Sequence, residues 1–265
     1  MAKRDTPLYH QPIIETHFHL DYLKEGSAQE ILALARAVGV ERFMTISVDP
    51  SNMPKVLELA HEHADVWATL GVHPHEAQHF DDACAQFMHA HAKDDKVVAI
   101  GEIGLDYFYE HSPREVQRQA FCAQLEIAIA QNLPVVIHTR DADADCAAIL
   151  KDYAPKMAKK GVLHSFTSGL ELAQLAIDLG FCLGINGIVT FGKAENVRDI
   201  VRAVPLTHLL LETDAPFLTP LPYRGVENSP KYLPFIAEKI AEVKGVPVHD
   251  VLQSCHHNSM RVFFA

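Results

Sequence analysis

Eight short apolar runs recur along this 265-residue chain, and longer stretches with apolar residues three or four positions apart separate them. That alternation points to parallel βα units, because consecutive parallel strands need a crossover that packs back onto the sheet. The predicted strands cover residues 12–17, 42–48, 66–72, 96–103, 134–138, 161–164, 181–185 and 208–212. Three of these runs, Val135-Val136-Ile137, Leu209-Leu210-Leu211 and Val97-Val98-Ala99-Ile100, are apolar at every position, as strands covered on both faces must be. Between them, Phe121, Leu125, Ala128 and Ile129 show helical spacing, and a helix is expected over 52–62. Pro113 suits a helix start, Pro230 opens a helix carrying Phe235, Ile236 and Ile240, and a closing helix covers 246–263. Eight such units predict an α/β fold of the TIM (β/α)8 barrel type, as a single domain over residues 1–265. The alternative, an open doubly wound sheet, lacks the GxGxxG signature of a dinucleotide fold.

Bulk properties narrow the partners. The net charge of −11 excludes attraction of nucleic acid by the surface as a whole, so a polyanion would need a local patch or bound cations. Five cysteines (Cys84, Cys122, Cys146, Cys182 and Cys255) are an odd number with no CxxC pair, which suits scattered thiols in a reducing compartment. No apolar h-region follows the basic residues of the N-terminal stretch 1–7, and no run approaches the ~20 apolar residues of a membrane span. A cytoplasmic, monomeric protein with no membrane partner is therefore expected.

The polar residues at the strand ends carry the chemistry. His17 and His19 are two apart at the end of the first strand, so both can face one cavity. His61 and His63, and likewise His89 and His91, have the same spacing in helical segments, where residues two apart diverge; these are expected to be surface histidines. Glu102, His138, His164 and Asp214 lie at or just beyond the ends of other strands. In a barrel those ends converge on one mouth, where active sites are built. Four imidazoles and two carboxylates are too many for one catalytic ion with an open position. They suit two divalent metal ions ~3.5–4 Å apart, joined by a carboxylate. Glu102, on the middle strand between Gly101 and Gly104, is the best bridge. Mg, Mn or Zn are candidate ions; histidine-rich ligation is compatible with Zn, Mn, Fe or Ni, while Mg prefers more oxygen donors.

The motifs Glu15-Thr16-His17-Phe18-His19-Leu20-Asp21, Gly71-Val72-His73-Pro74-His75 and Gly101-Glu102-Ile103-Gly104-Leu105-Asp106 resemble those of the TatD family of metal-dependent DNases. So do the stretch from Pro134 to Ala142 around His138, Leu163-His164-Ser165-Phe166-Thr167, and Glu212-Thr213-Asp214-Ala215-Pro216-Phe217-Leu218. The resemblance, in order over nearly the whole chain, implies a TIM barrel of the wider amidohydrolase-like group. It also implies one ion on His17, His19 and Asp214, another on His138 and His164, and Glu102 bridging. The implied activity is 3′-to-5′ exonuclease-like hydrolysis of DNA or a short oligonucleotide by a two-metal-activated water. Glu15 replaces the family's usual aspartate, and Val226 and Glu227 replace two cations in the loop 224–230, which predicts weaker, less salt-dependent contact with a phosphate backbone.

Asp214 and Glu102 are the candidate catalytic residues, Asp214 either accepting a proton from water or serving only as a ligand. His73 and Arg140 are candidate substrate contacts; alternatively His73 is a hydrogen-bonded rim histidine, and Arg140 pairs with Asp141, Asp143 or Asp106. Glu15, Asp21 and Asp106 are expected to accept from imidazole N–H groups. Tyr107, Phe108 and Tyr109, with Phe166, Phe191 and Phe217, either stack on bases or pack the rim; Lys193 is expected to face water. Two other functions fit the same barrel: a metal-dependent lactonase, amidase or deacylase, and a non-catalytic metal-binding scaffold. Barrels for carbon-centred hydrolysis often bridge their metals with a carboxylated lysine at the fourth strand, where this chain has Glu102.

Overall fold

The computed structural model describes residues 4–265; residues 1–3, part of the basic N-terminal stretch and of the expected domain span, lie outside the described residues. Eight parallel strands, β1 (Ile13–Phe18), β2 (Val40–Thr45), β3 (Val66–Leu70), β4 (Val97–Asp106), β5 (Val135–Arg140), β6 (Gly161–Leu163), β7 (Cys182–Ile185) and β8 (Leu209–Leu211), pair in sequence order. One helix follows each of the first seven strands: α1 (Ala28–Arg36), α2 (Met53–Glu62), α3 (Asp82–His91), α4 (Arg114–Gln131), α5 (Asp143–Tyr153), α6 (Leu170–Asp178) and α7 (Glu195–Ala203). Two more, α8 (Leu233–Lys244) and α9 (Val248–Phe263), complete the outer ring. The architecture is the expected (β/α)8 barrel. Among the described residues no helix is long and apolar enough to cross a membrane.

The seam between the first and last strands is joined just beyond β8. Phe18 bridges Ala215, the Asp214 amide donates to His17 O (2.8 Å), and the His19 amide donates to Ala215 O (2.8 Å). The Glu15 carboxylate reinforces it by accepting from the His17 amide (3.1 Å), the Thr213 amide (2.9 Å) and the Thr213 hydroxyl (2.5 Å).

The strand alternation explains which side chains reach the interior. Val136, Val162 and Leu210 belong to a small inner cluster with Met44, Ile46 and Val98, whereas Val135, Ile137, Leu163 and Leu211 pack in the large cluster that includes the helices. With a period of two, His138, His164 and Glu212 continue the inner rows at the C-terminal ends. Val262 and Phe263, at the end of α9, join the inner cluster.

The departure that matters most for the site is β4, which runs on from Ile103 to Asp106. Gly104, Leu105 and Asp106 pair with His138, Thr139 and Arg140 of β5. Gly104 makes that possible. It sits at φ +135°, and a Cβ there would lie 2.0 Å from His138 O, so only glycine lets the two backbones meet. Elsewhere β2 and β3 stop short of their predicted ends, and Pro230–Tyr232 forms a short 3-10 turn before α8. The five cysteines are free, four of them buried.

Candidate metal centre

The six predicted ligands converge on the barrel mouth. Glu102 is nearly fully buried at the centre, with its two carboxylate oxygens turned to different partners. Oε2 lies 3.3 Å from His17 Nε2. Oε1 lies 2.6 Å from His164 Nε2, 3.0 Å from His138 Nδ1 and 3.4 Å from His73 Nε2. On the other flank, Asp214 Oδ1 is 3.5 Å from His19 Nε2 and 3.7 Å from His17 Nε2. At the mouth, three sets of side chains thus have ligand atoms close enough to share an ion: His17, Glu102 and His164; His17, His19 and Asp214; and His73, Glu102 and His138; a fourth, His61, Asp94 and Asp95, lies at the surface. His61 and His63, by contrast, are not part of the mouth, and His61 meets Asp94 at the surface (2.9 Å). His89 likewise bonds Gln131.

The backbone is bent where the ligands sit. Asp214 itself has φ +57°, Ser165 after His164 has φ +46°, and Asp141 closes β5 at φ +52°. Non-glycine residues rarely hold this conformation, and such strain concentrates at functional sites. Behind His164, Glu212 accepts from the Ser165 amide (2.6 Å) and the Asn186 side chain (3.3 Å). Gly184 leaves room for it, since a Cβ there would lie 2.2 Å from Glu212 Oε2.

The outer nitrogens of the histidines show which way their lone pairs face. His138 Nε2 meets Asp106 Oδ2 (3.1 Å) and His19 Nδ1 meets Ile46 O (3.3 Å). Each outer atom faces an acceptor and must carry the proton, which leaves the inner nitrogen's lone pair free for a cation. His164 Nδ1 faces the Glu212 carboxylate at 3.7 Å, beyond hydrogen-bond reach. Both nitrogens of fully buried His17 lack a hydrogen-bond partner. A buried polar group without a partner is costly unless something satisfies it, and a cation at Nε2 would. The donor set therefore fits divalent metal ions.

Electrostatics point the same way. Burial alone would raise the Glu102 pKa, but the facing imidazoles, His164 foremost, hold it well below the usual carboxylate range. Burial opposes charge on His164, yet Glu102 carries its pKa well above the usual imidazole value. For Asp214 burial is likewise overcome, chiefly by His19, and the carboxyl is held down. His73 goes the other way: burial pushes it well below the usual value, so it is neutral.

Around this core the structure sorts the remaining candidates. Asp106 accepts from His138 as expected, and also from His75 Nε2 (3.0 Å) and the amides of Phe108 (3.0 Å) and Tyr109 (2.9 Å). Glu15 and Asp21 do not support imidazoles. Glu15 is spent on the barrel seam, and Asp21 accepts from Asn52 Nδ2 (3.1 Å). Arg140 makes no ion pair with Asp141, Asp143 or Asp106; its guanidinium lies over the rings of Phe108 (4.2 Å) and Tyr109 (5.0 Å). Those two rings are half exposed and, with Phe217, line a cavity of ≈ 1250 Å³ that also contains His19, His73, Glu102, His138, His164 and Asp214. Tyr107 is instead tied to Asp145, Phe166 is buried in the core, and Lys193 is exposed. In the 224–230 loop Arg224 stacks on Phe191 (3.8 Å), and Glu227 turns from the cavity to accept from the Lys24 (3.0 Å) and Glu25 (2.9 Å) amides. Sequence reasoning passed over Glu212 and His75. Glu212 is two residues from Asp214 just past the end of β8, a spacing that could have found it; His75 lies in the 3-10 turn after His73, where strand spacing gives no signal.

Comparison with known proteins agrees with this geometry. The model of the family "TatD related DNase" matches residues 14–264. The chain is 38% identical over 255 residues to an uncharacterized metal-dependent hydrolase, YcfH, of Escherichia coli, covering 95% of both chains. It is 31% identical to deoxyribonuclease Tat-D of Schizosaccharomyces pombe, covering 95% of this chain and 92% of that one. The crystal structure of YjjV, a TatD homologue from Escherichia coli, superposes with a TM-score of 0.88 at 31% identity, over 96% of this chain and 98% of that one.

Proposed function

Because the chain belongs to the TatD-related DNase family of metal-dependent hydrolases, we propose that it cleaves phosphodiester bonds at DNA ends or in short oligonucleotides, its residues 1–265 acting as one unit. His17, His19 and Asp214 would hold one divalent ion, His138 and His164 a second, and Glu102 would bridge them. The observation that carries this reading is the split carboxylate of Glu102, with Oε2 facing His17 and Oε1 facing His138 and His164. When bound, the two ions would supply an activated water and neutralise charge on the phosphoryl group.

The chain's own residues do the rest. Asp214, facing the cavity and held ionised, would orient the attacking water and accept its proton. Arg140, a charged group on an aromatic ledge at the cavity wall, would meet a phosphate of the substrate. The name of the Schizosaccharomyces pombe relative supports DNA as the substrate class. Glu102, rather than a modified lysine, in the bridging place supports phosphorus over carbon as the centre attacked.

Protein purified without chelators should contain about two ions per chain. With Mg, Mn or Zn it should shorten labelled single-stranded DNA from the 3′ end, and Glu102→Ala should abolish the ladder. Metal-dependent cleavage of esters or lactones with DNA left intact would overturn the DNA assignment in favour of an acyl hydrolase. No turnover of either by metal-loaded protein would leave a scaffold.

A further inference from the structure

His73 lies among the ligand histidines, and its Nε2 is near Glu102, so its position alone suggests another metal ligand. Its far side argues otherwise. His73 Nδ1 accepts a hydrogen bond from the His75 backbone amide (3.1 Å). A backbone N–H can only donate, so Nδ1 must hold the lone pair and the ring proton must sit on Nε2. The outer nitrogens of His19 and His138 face acceptors, which gives those rings the opposite polarity. The loop after β3 holds the arrangement rigid: the His73 amide donates to Val48 O (2.8 Å), and Pro74 fixes the turn that aims the His75 amide back at the ring. The His73 and His138 rings meet edge to face with centroids 4.5 Å apart.

We propose that His73 is not a metal ligand but a fixed Nε2–H donor that hydrogen-bonds an anionic oxygen of the substrate as charge builds there. The distance to Glu102 Oε1, 3.4 Å, is too long for a strong hydrogen bond, and the ring lines the cavity. A donor held beside the hydrolytic centre serves a phosphoryl oxygen or the oxyanion of an acyl group equally. The inference thus rests on the hydrolase reading of the site but not on DNA as the substrate.

Two of the tests need no turnover. Two-bond ¹H–¹⁵N correlation spectra of the metal-loaded protein, with His73→Gln used to assign the resonance, should show His73 protonated at Nε2 and bare at Nδ1. Elemental analysis of His73→Ala should find the same number of ions per chain as in the parent. On bis-4-nitrophenyl phosphate or labelled single-stranded DNA, His73→Ala should lower kcat and kcat/KM together by about 100-fold or more, the cost of losing one preorganised donor. His73→Gln, whose amide N–H occupies a similar place, should recover part of that loss. A bare, metal-shifted Nε2, or an ion missing from His73→Ala, would overturn the proposal. Absence of turnover on either substrate would count against the phosphodiesterase reading and leave the spectra and the ion count to decide the role of His73.

Discussion

The two ends of the barrel are made from the same strands but handle their polar groups in opposite ways. At the base, Lys96 Nζ donates to the carbonyls of His63 (2.9 Å), Ala64 (3.0 Å) and Val66 (3.0 Å). Arg42 lies over both Trp67 and Phe264, 4.9 Å from each ring. Its charge is met by aromatic faces, by Glu41 (3.9 Å) and by water, and its stem covers apolar surface. At the mouth, both ring nitrogens of His17, His164 Nδ1 and Glu212 Oε2 are buried without hydrogen-bond partners. A chain selected for stability alone would not leave those atoms so. The base is built to hold the barrel together, and the mouth is built incomplete, to be finished by something it binds.

Removing a central ligand should separate the two ends most sharply. Glu102→Ala should weaken metal binding by more than about 100-fold, beyond the usual cost of losing a residue that merely supports a ligand. The metal-free variant should melt below the metal-free parent at neutral pH, because His164 loses the ionised carboxylate that pairs with it; an unchanged melting temperature would contradict that pairing. Next, Asp106→Asn, which keeps the shape but weakens the acceptor for His138, should cost about 10–100-fold in metal affinity, read by competition with a chelating dye. An unchanged affinity would show that His138 needs no support.

A smaller effect, about tenfold per pH unit for each proton released, should appear in the pH dependence of metal binding. The folded-state pKa of His164 is raised, so in the metal-free protein its contribution to stability is fully present below the ordinary imidazole value near 6.5 and is lost as pH rises through the raised value. Metal binding needs the bare ring and must therefore tighten over that same rise. The melting temperature of metal-free protein should fall as that of metal-loaded protein climbs, and parallel curves would contradict this. Smallest of all, Arg42→Ala should lower stability by about 1 kcal/mol in urea unfolding and leave metal content untouched. A change in metal content there would break the division between the two ends.

Much of this division was legible in the chain. The predicted strand ends placed His138, His164 and Asp214 at one barrel mouth. The same two-residue spacing in a strand and in a helix set His17 and His19 apart from His61 and His63. Partners set by long-range folding were not legible. Glu15, two residues before a ligand, belongs to the seam rather than to an imidazole, because Thr213 arrives beside it only when the barrel closes. Arg140 finds two aromatic rings in place of the acidic neighbours in its own sequence, because β4 runs on past Gly104 and brings Phe108 and Tyr109 to it. The polarity of His73 was equally hidden, since it depends on the direction of one backbone amide in the following turn.

The seam also has a mechanical consequence. Glu15 and Thr213, which meet there, are 198 positions apart in the chain, and the three residues assigned to the first ion straddle the same junction. A cation gripped from both sides would rivet the start of the polypeptide to its far end, and parting the staves would mean expelling it. Because opening so long a loop releases much chain entropy, such a rivet would slow the barrel's unravelling as well as serve its chemistry.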